Sequence, residues 1–186
     1  MRLAEREREL NPAGGTNALA RILWRARETE RSVAVLRNML EANPRNVVAN
    51  RFLSVYEAEN GNLAQAEAHL NVLEELELRS RNLTRVANMA SRYAQLGLDE
   101  DATRVLGIFE EQAATRRVTA VARVWENMAG GSEDQVLEAL ETVAEAKQPY
   151  QGFQMTFALK FNTFNIPLLD EPEFVAVRER LGFTDL

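Results

Sequence analysis

The amino-acid sequence predicts an all-α protein that is built from repeated pairs of helices. Apolar residues recur along most of the chain at the spacing of amphipathic helices. Two stretches also share one pattern, in which a helix is followed by a turn glycine and then by a helix with a small residue inside it. Gly61 and Gly97 are 97 − 61 = 36 residues apart, as are Ala66 and Ala102, at 102 − 66 = 36. Repetition at such a period is typical of stacked helical arrays.

The composition fits this class and excludes several others. Of the 186 residues, 46% are hydrophobic and 27% are charged, as is usual for a globular protein. A net charge of −6 and an isoelectric point near 5.0 argue against general nucleic-acid binding, which needs a positive surface. The sequence has no cysteine, which excludes disulfide scaffolds and cysteine-based zinc sites.

Membrane insertion is not expected. No apolar run approaches the roughly 20 residues that a membrane-spanning helix needs, and residues 1–10 carry too many charges for a signal peptide. We expect a soluble protein, in the cytoplasm or, if the chain was cut from a membrane-anchored protein, in the periplasm.

The first predicted helices surround two breaks in the chain. Residues 2–10 are predicted to be helical and are either the end of a truncated earlier repeat or an N-terminal capping helix. Residues 13–15 (Ala-Gly-Gly) predict a break, after which Thr16 caps a helix that runs through Glu28. The next helix is predicted at residues 31–42, because a proline soon follows it.

Polar caps and glycines mark the elements that follow. We predict helices from Asn46 to about residue 60, from Asn62 to about residue 78, at 83–96 and at 99–115. A less regular pair is predicted at 118–129 and from Ser132 to about residue 146. An aromatic-rich segment at 150–161 and a last helix that begins at Asp170 are predicted to close the array, since a solenoid needs a terminal cap.

These features resemble the tetratricopeptide repeat (TPR) family, whose units are helix–turn–helix pairs of about 34 residues. The resemblance assigns repeats to residues 13–46, 47–80, 83–116 and 117–148, a partial repeat to 2–12 and a cap to 149–186. The best-matched repeat agrees at Met89, Ala90, Tyr93, Gly97, Ala102 and Leu106, the preceding one at Leu53, Ser54, Gly61, Ala66 and Leu70, and the first at Leu19, Ala20, Ser32, Leu36, Leu40 and Pro44. The fourth matches mainly in period. The resemblance implies a single domain of residues 1–186 that forms a right-handed superhelical solenoid.

The C-terminal residues carry a second resemblance. The motif at 169–174 (Leu-Asp-Glu-Pro-Glu-Phe) and the Leu-Gly-Phe of 181–183 look like the ending of many bacterial TPR-containing signalling proteins. In those proteins, the TPR region is the C-terminal sensory or docking part.

Catalytic residue sets are missing from the sequence. His69 is the only histidine, so histidine-rich zinc sites are excluded, and a Ser–His–Asp set would have to use His69. We expect a surface histidine there and solvated carboxylates at helix starts and on polar faces. The paired glycines at 14–15 and 130–131 lack the lysine of a phosphate loop. We therefore predict no enzymatic activity, no cofactor and no metal.

In the TPR family, the first helix of each pair lines a concave groove that binds a peptide. Carried onto this chain, the family's groove positions predict a partner-binding set. Its members are Asn17, Arg21, Trp24, Arg25, Arg51, Val55, Ser91, Gln95 and Trp125. Arginine and tryptophan are the residues that binding hot spots favour, so Trp24 between two arginines could hold an acidic or aromatic peptide.

Alternatives to these assignments stay open at the level of sequence. Trp24 could instead pack against the N-terminal helix with solvated arginines beside it, and Trp125 could lie in the core. The family's chaperone-tail clamp is not matched, because Phe52 stands at one of its positions. The leading hypothesis is a non-enzymatic module that binds a peptide or protein segment. The alternatives are the C-terminal sensory region of a larger bacterial signalling or transcription protein, and a self-association module that forms homo-oligomers.

Overall fold

The computed structural model describes residues 12–79, 82–145 and 170–180. All secondary structure in these ranges is helical, which confirms the all-α prediction for this part of the chain. The helices are α1 (Pro12–Arg25), α2 (Thr29–Ala42), α3 (Val47–Glu59), α4 (Leu63–Leu78), α5 (Leu83–Gln95), α6 (Asp99–Ala113), α7 (Ala120–Gly130), α8 (Glu133–Glu145) and α9 (Pro172–Arg180). The helices predicted at 2–10 and 150–161 lie outside the described residues.

The predicted break at residues 13–15 is wrong, because α1 begins at Pro12 and includes both glycines. Proline is favoured at the first position of a helix, where its missing N–H costs nothing. Each glycine in a helix costs only about 1 kcal/mol relative to alanine. Burial of the apolar face of α1, which includes Leu19 and Leu23, offsets such a cost.

Polar caps begin several helices as the sequence predicts. The Asn46 side chain accepts a hydrogen bond from the amide of Ala49 at 3.0 Å. At the start of α8, the amide of Ser132 donates to Gln135 Oε1 at 2.8 Å, and the amide of Gln135 donates to Ser132 Oγ at 3.3 Å. This reciprocal pair is the capping box that the sequence predicts there.

The chain divides between Leu73 and Glu74 into two compact units. In the first unit, α2 packs against both α1 and α3. In the second unit, α5 packs against α6 and α7, and α8 packs against α7 and α9. The prediction of one domain over residues 1–186 stays a prediction.

Small residues recur at one position in the second helix of three successive pairs. Ser32, Ala66 and Ala102 are 66 − 32 = 34 and 102 − 66 = 36 residues apart, and each is at most 3% exposed. Ser32 Oγ donates a hydrogen bond to the carbonyl oxygen of Ala20 in α1 at 2.8 Å. This bond shows that, in the first pair, the small residue lies directly against the partner helix.

The turns inside the same three pairs share one backbone conformation. Arg27, Gly61 and Gly97 have φ angles of 60°, 76° and 70°, in the left-handed region that favours glycine. The residue after each turn residue donates its amide to a carbonyl oxygen five residues earlier, at 3.0, 2.8 and 3.0 Å. This is the Schellman arrangement of helix C-termini. Arg27 therefore occupies the glycine position of the first pair, which the sequence did not reveal.

Two glycine substitutions test whether position 97 needs glycine for its left-handed backbone rather than for lack of space. A Cβ atom added at Gly97 or at Gly107 would meet nothing within 4 Å, but only Gly97 has a positive φ. We expect Gly97→Ala to lower the free energy of unfolding by about 1 kcal/mol. Gly107→Ala, inside α6, should raise it by about 0.5–1 kcal/mol. Denaturant titration of both variants measures the free energy of unfolding. An equal change in the two variants would contradict the prediction.

Candidate partner-binding site

Three arginines of the predicted binding set interact electrostatically in the first unit. Arg21 and Arg25 follow Asn17 at intervals of one helical turn, so the three side chains share one side of α1. Burial lowers the pKa of Arg21, and the positive charge of Arg51 on α3 lowers it further. Burial also lowers the pKa of Arg25, as does the charge of Arg21. We refer to Arg21, Arg25 and Arg51 as the arginine cluster.

Arg21 is the member of the cluster whose positive charge is not balanced by any carboxylate of the described residues. Its side chain is half-buried, and no carboxylate of the described residues lies within ion-pair distance of its guanidinium. Arg37, by contrast, lies 3.3 Å from a carboxylate oxygen of Glu57, and Arg104 lies 2.7 Å from one of Glu74. A partly buried cation that faces other cations is unfavourable, and the chain as a whole carries a net charge of −6. The half-buried Arg21 therefore carries a positive charge that no carboxylate of the described residues balances.

A polar atom without a partner lies one turn before Arg21. Asn17 Oδ1 is buried and accepts no hydrogen bond from the described residues. Leaving a buried acceptor unsatisfied costs about 1–3 kcal/mol. Asn17 Oδ1 is thus an unsatisfied acceptor inside the fold, one turn before Arg21.

The aromatic members of the predicted set lie in the core. Trp24 is 6% exposed, and its ring centroid lies 5.1 Å from that of Phe52 on α3, with the rings tilted by 60°. Trp125 in α7 is also 6% exposed, and Val55 is 9% exposed. The sequence left open that Trp24 packs against the N-terminal helix, which lies outside the described residues. Among the described residues, the ring packs against Phe52. Contact of these side chains with a partner stays a prediction.

The remaining members of the set belong to the second unit. Gln95 Nε2 donates a hydrogen bond to Ser91 Oγ at 2.9 Å across one turn of α5. Ser91 is fully buried, whereas Gln95 is exposed. Of these two side chains, only that of Gln95 is therefore accessible to a partner.

His69 is not the surface residue that the sequence predicts. Its side chain is half-buried, and its Nδ1 lies 2.9 Å from Asn50 Oδ1. Asn50 Nδ2 donates to the carbonyl oxygens of Pro44 and Asn46, each at 2.9 Å. Because both amide hydrogens are used, Asn50 Oδ1 accepts and His69 Nδ1 carries the proton. Burial lowers the pKa of His69; the charge of Glu57 raises it and that of Arg37 lowers it.

The expectation of solvated carboxylates is wrong for Glu57, which is 3% exposed. Its carboxylate accepts hydrogen bonds from Arg37 at 3.3 Å and from Asn62 Nδ2 at 2.8 Å. The Asn62 side chain thus binds the preceding helix, whereas the sequence predicts it as a cap of the helix that follows. A sequence signal for this burial exists, since Glu57 lies 93 − 57 = 36 residues before Tyr93, at the same position of its repeat.

A polar cluster also links the helices of the second unit. Tyr93 donates its hydroxyl to Glu74 at 2.7 Å, and Arg104 donates to both oxygens of the same carboxylate at 2.7 and 2.8 Å. Arg104 also donates to Asp101 at 2.8 Å. The hydrogen bonds from Arg104 lower the pKa of Glu74, burial opposes them, and the bond from Tyr93 lowers the pKa further. Burial and Glu74 together raise the pKa of Tyr93.

This cluster should make the second unit acid-sensitive. A carboxyl group whose folded-state pKa is depressed stabilises the fold above its unfolded-state pKa and stops doing so as the pH falls through the folded-state pKa. For Glu74, the loss should therefore set in below its ordinary pKa of 4.5. Glu74→Gln should cost about 1 kcal/mol at neutral pH and lose less stability than the wild type on acidification. Glu75→Gln is the control, because Glu75 is 47% exposed; matching pH profiles for the two variants would contradict the assignment.

Other site types find no support within the described ranges. Residues 12–79, 82–145 and 170–180 contain no group of three or more histidine and acidic side chains arranged to hold a metal ion. Their helices include none that is long and apolar enough to cross a membrane. Comparisons with known protein families, with curated proteins and with solved structures found no significant match.

Proposed function

We propose that this protein is a non-enzymatic interaction module that holds a segment of another protein against α1 and α3. The observation that carries the proposal is the arginine cluster, in which the half-buried Arg21 faces like charges from Arg51 and Arg25. Such an arrangement costs stability in the isolated chain, whereas a bound partner with complementary charge would relieve it. Functional surfaces often contain groups that lower the stability of the free protein in this way.

We also propose that the helix pairs form a right-handed TPR-like solenoid. Support comes from the recurrent Schellman turns at Arg27, Gly61 and Gly97 and from the buried small residues that follow them at constant spacing. In such arrays, the first helices of successive pairs line the binding face. α1 and α3 are the first helices of two successive pairs, which is where the arginine cluster lies.

A peptide-display library tests the binding function without knowledge of the natural partner. The full chain is panned against random peptides, and the enriched peptides are then measured against Arg21→Glu and Arg117→Glu. Arg117 is an exposed residue between α6 and α7, so both variants change the net charge equally. We expect enriched peptides to lose at least about tenfold in affinity for Arg21→Glu and to bind Arg117→Glu as they bind the wild type. Failure to enrich any peptide, or equal loss with both variants, would contradict the proposal.

A further inference from the structure

We infer that His69 makes the pair of helices α3 and α4 a pH-sensitive element, which is stable while the imidazole is neutral and opens more readily when the ring takes up a second proton. His69 is the only histidine of the sequence, and histidine is the side chain whose ordinary charge change falls between pH 5 and 8. The switch needs no partner, so it is independent of the proposed function.

Hydrogen bonds determine which nitrogen of the ring takes up that proton. Asn50 on α3 is 1% exposed, and both hydrogens of its side-chain amide are donated, to the carbonyl oxygens of Pro44 and Asn46. Its Oδ1 therefore accepts from His69 Nδ1, which lies 2.9 Å away, so Nδ1 carries the proton of the neutral ring. The second proton consequently binds at Nε2.

The surroundings of the ring disfavour its charged form. His69 is half-buried, and it lies on the side of α4 that also carries Ala66 and Leu73, one turn before and one turn after it. Both of these apolar residues are fully buried. An imidazolium at this position loses hydration, and the neutral amide of Asn50 replaces it only at Nδ1. Burial accordingly lowers the pKa of His69.

Two charged groups act on the ring from neighbouring helices, and they oppose each other. After burial, the pKa of His69 is raised by Glu57 on α3 and lowered by Arg37 on α2. These two residues are themselves an ion pair, with a nitrogen of Arg37 3.3 Å from Glu57 Oε1. Asn62 donates to the second oxygen of the same carboxylate at 2.8 Å. The carboxylate thus already binds two other donors, and burial of the ring decides the direction of the effect.

The next repeat holds apolar residues at both positions of this polar pair. Asn50 and His69 precede Val86 and Val105 by 86 − 50 = 36 and 105 − 69 = 36 residues, which is also the spacing of the turn glycines. Both valines are fully buried. Replacing a buried hydrogen-bonded pair by apolar groups can leave stability unchanged or raise it. Packing therefore does not require polar groups here, whereas sensitivity to pH does.

The lowered pKa fixes the direction and the pH range of the switch. Since the folded-state pKa of His69 lies below the unfolded value of 6.5, the neutral ring stabilises the fold fully above pH 6.5. That contribution is lost as the pH falls from the unfolded-state pKa through the folded-state pKa. The loss begins at a higher pH than that expected for Glu74, so the two titrations can be distinguished.

Thermal unfolding of the full chain at pH 7.5 and pH 5.5 measures the switch. Between these values, we expect the midpoint of the wild type to fall by at least about 2 °C more than that of His69→Gln. Glutamine keeps an N–H donor for Asn50 but does not titrate. The matched control combines His69→Gln with Ala68→His, which moves the histidine to a neighbouring exposed position. Its midpoint should respond to pH as that of His69→Gln does.

Nuclear magnetic resonance of the single histidine tests the chemistry of the ring in the wild type alone, and so needs no variant to fold. The nitrogen chemical shifts at pH 7.5 should place the proton on Nδ1, and titration of the ring should give a pKa below 6.5. Amide hydrogen exchange then locates the opening. After correction for the intrinsic effect of pH, exchange in residues 47–59 and 63–78 should be faster at pH 5.5 in the wild type but not in His69→Gln.

Three results would overturn the inference. A pKa of His69 at or above 6.5 would mean that attraction to Glu57 outweighs burial. Equal falls in the midpoints of the wild type and His69→Gln would assign the acid sensitivity to other groups. Faster exchange confined to helices other than α3 and α4 would show that the ring does not control this pair.

Discussion

Trp24→Ala is expected to lower the free energy of unfolding by about 3–5 kcal/mol, the cost of removing a large aromatic side chain from a packed core. The indole is 6% exposed and packs against Phe52 at a centroid distance of 5.1 Å. Its loss would leave a cavity between α1 and α3, the two helices that carry the arginine cluster. Thermal or denaturant unfolding followed by circular dichroism measures the effect.

Ile22→Ala is the matched control for this substitution. Ile22 lies two residues earlier in the same helix and is 38% exposed, so its truncation should cost about 1 kcal/mol or less. A cost for Trp24→Ala as small as that for Ile22→Ala would contradict the placement of the indole in the core. The result also affects how binding experiments are interpreted. If Trp24→Ala failed to bind a partner, the cause would be its destabilised fold rather than the loss of a direct contact. The arginines are therefore the better residues for testing the site.

Ala66→Leu is expected to lower the free energy of unfolding by about 1–3 kcal/mol, because added methylene groups overpack a close contact. Ala66 is fully buried and holds the position at which Ser32 reaches the carbonyl oxygen of Ala20 in the preceding pair. Leucine has no room there unless the helices separate. The measurement is the midpoint of denaturant unfolding.

Ala68→Leu makes the same chemical change on the exposed side of the same helix. Leucine and alanine are both good helix formers, so this variant should unfold within about 0.5 kcal/mol of the wild type. Arg21→Ala should likewise cost little. If Ala68→Leu proved more damaging than Ala66→Leu, the register of the repeats would be wrong.

The helices could be predicted from the sequence because their signals are local. Apolar spacing, asparagine and serine caps, and glycine turns each act within a few residues, and helices α3 to α8 lie close to where these signals put them. The predicted break at residues 13–15 failed because glycine is only a weak helix breaker, and the burial of Leu19 and Leu23 outweighs it. Arg27 was missed for a related reason, since its left-handed φ of 60° is imposed by the helices on either side.

The site could be predicted only in part. The spacing of Asn17, Arg21 and Arg25 puts them on one side of a helix, which sequence periodicity shows directly. The proximity of Arg51 depends on how α1 packs against its neighbours, and the burial of Trp24 depends on Phe52, a residue 52 − 24 = 28 positions away. Such contacts have no local signature. The bond between His69 and Asn50 is another long-range pairing that residue type alone does not reveal.

Amide hydrogen exchange on the full chain bound to a peptide enriched by display tests the central claim most directly. A segment held against α1 and α3 should slow the exchange of amides in residues 12–25 and 47–59, because binding suppresses the local opening that exchange requires. The same peptide, added to Arg21→Glu, should leave these amides unchanged. Protection confined to other helices would show that the partner does not bind at α1 and α3.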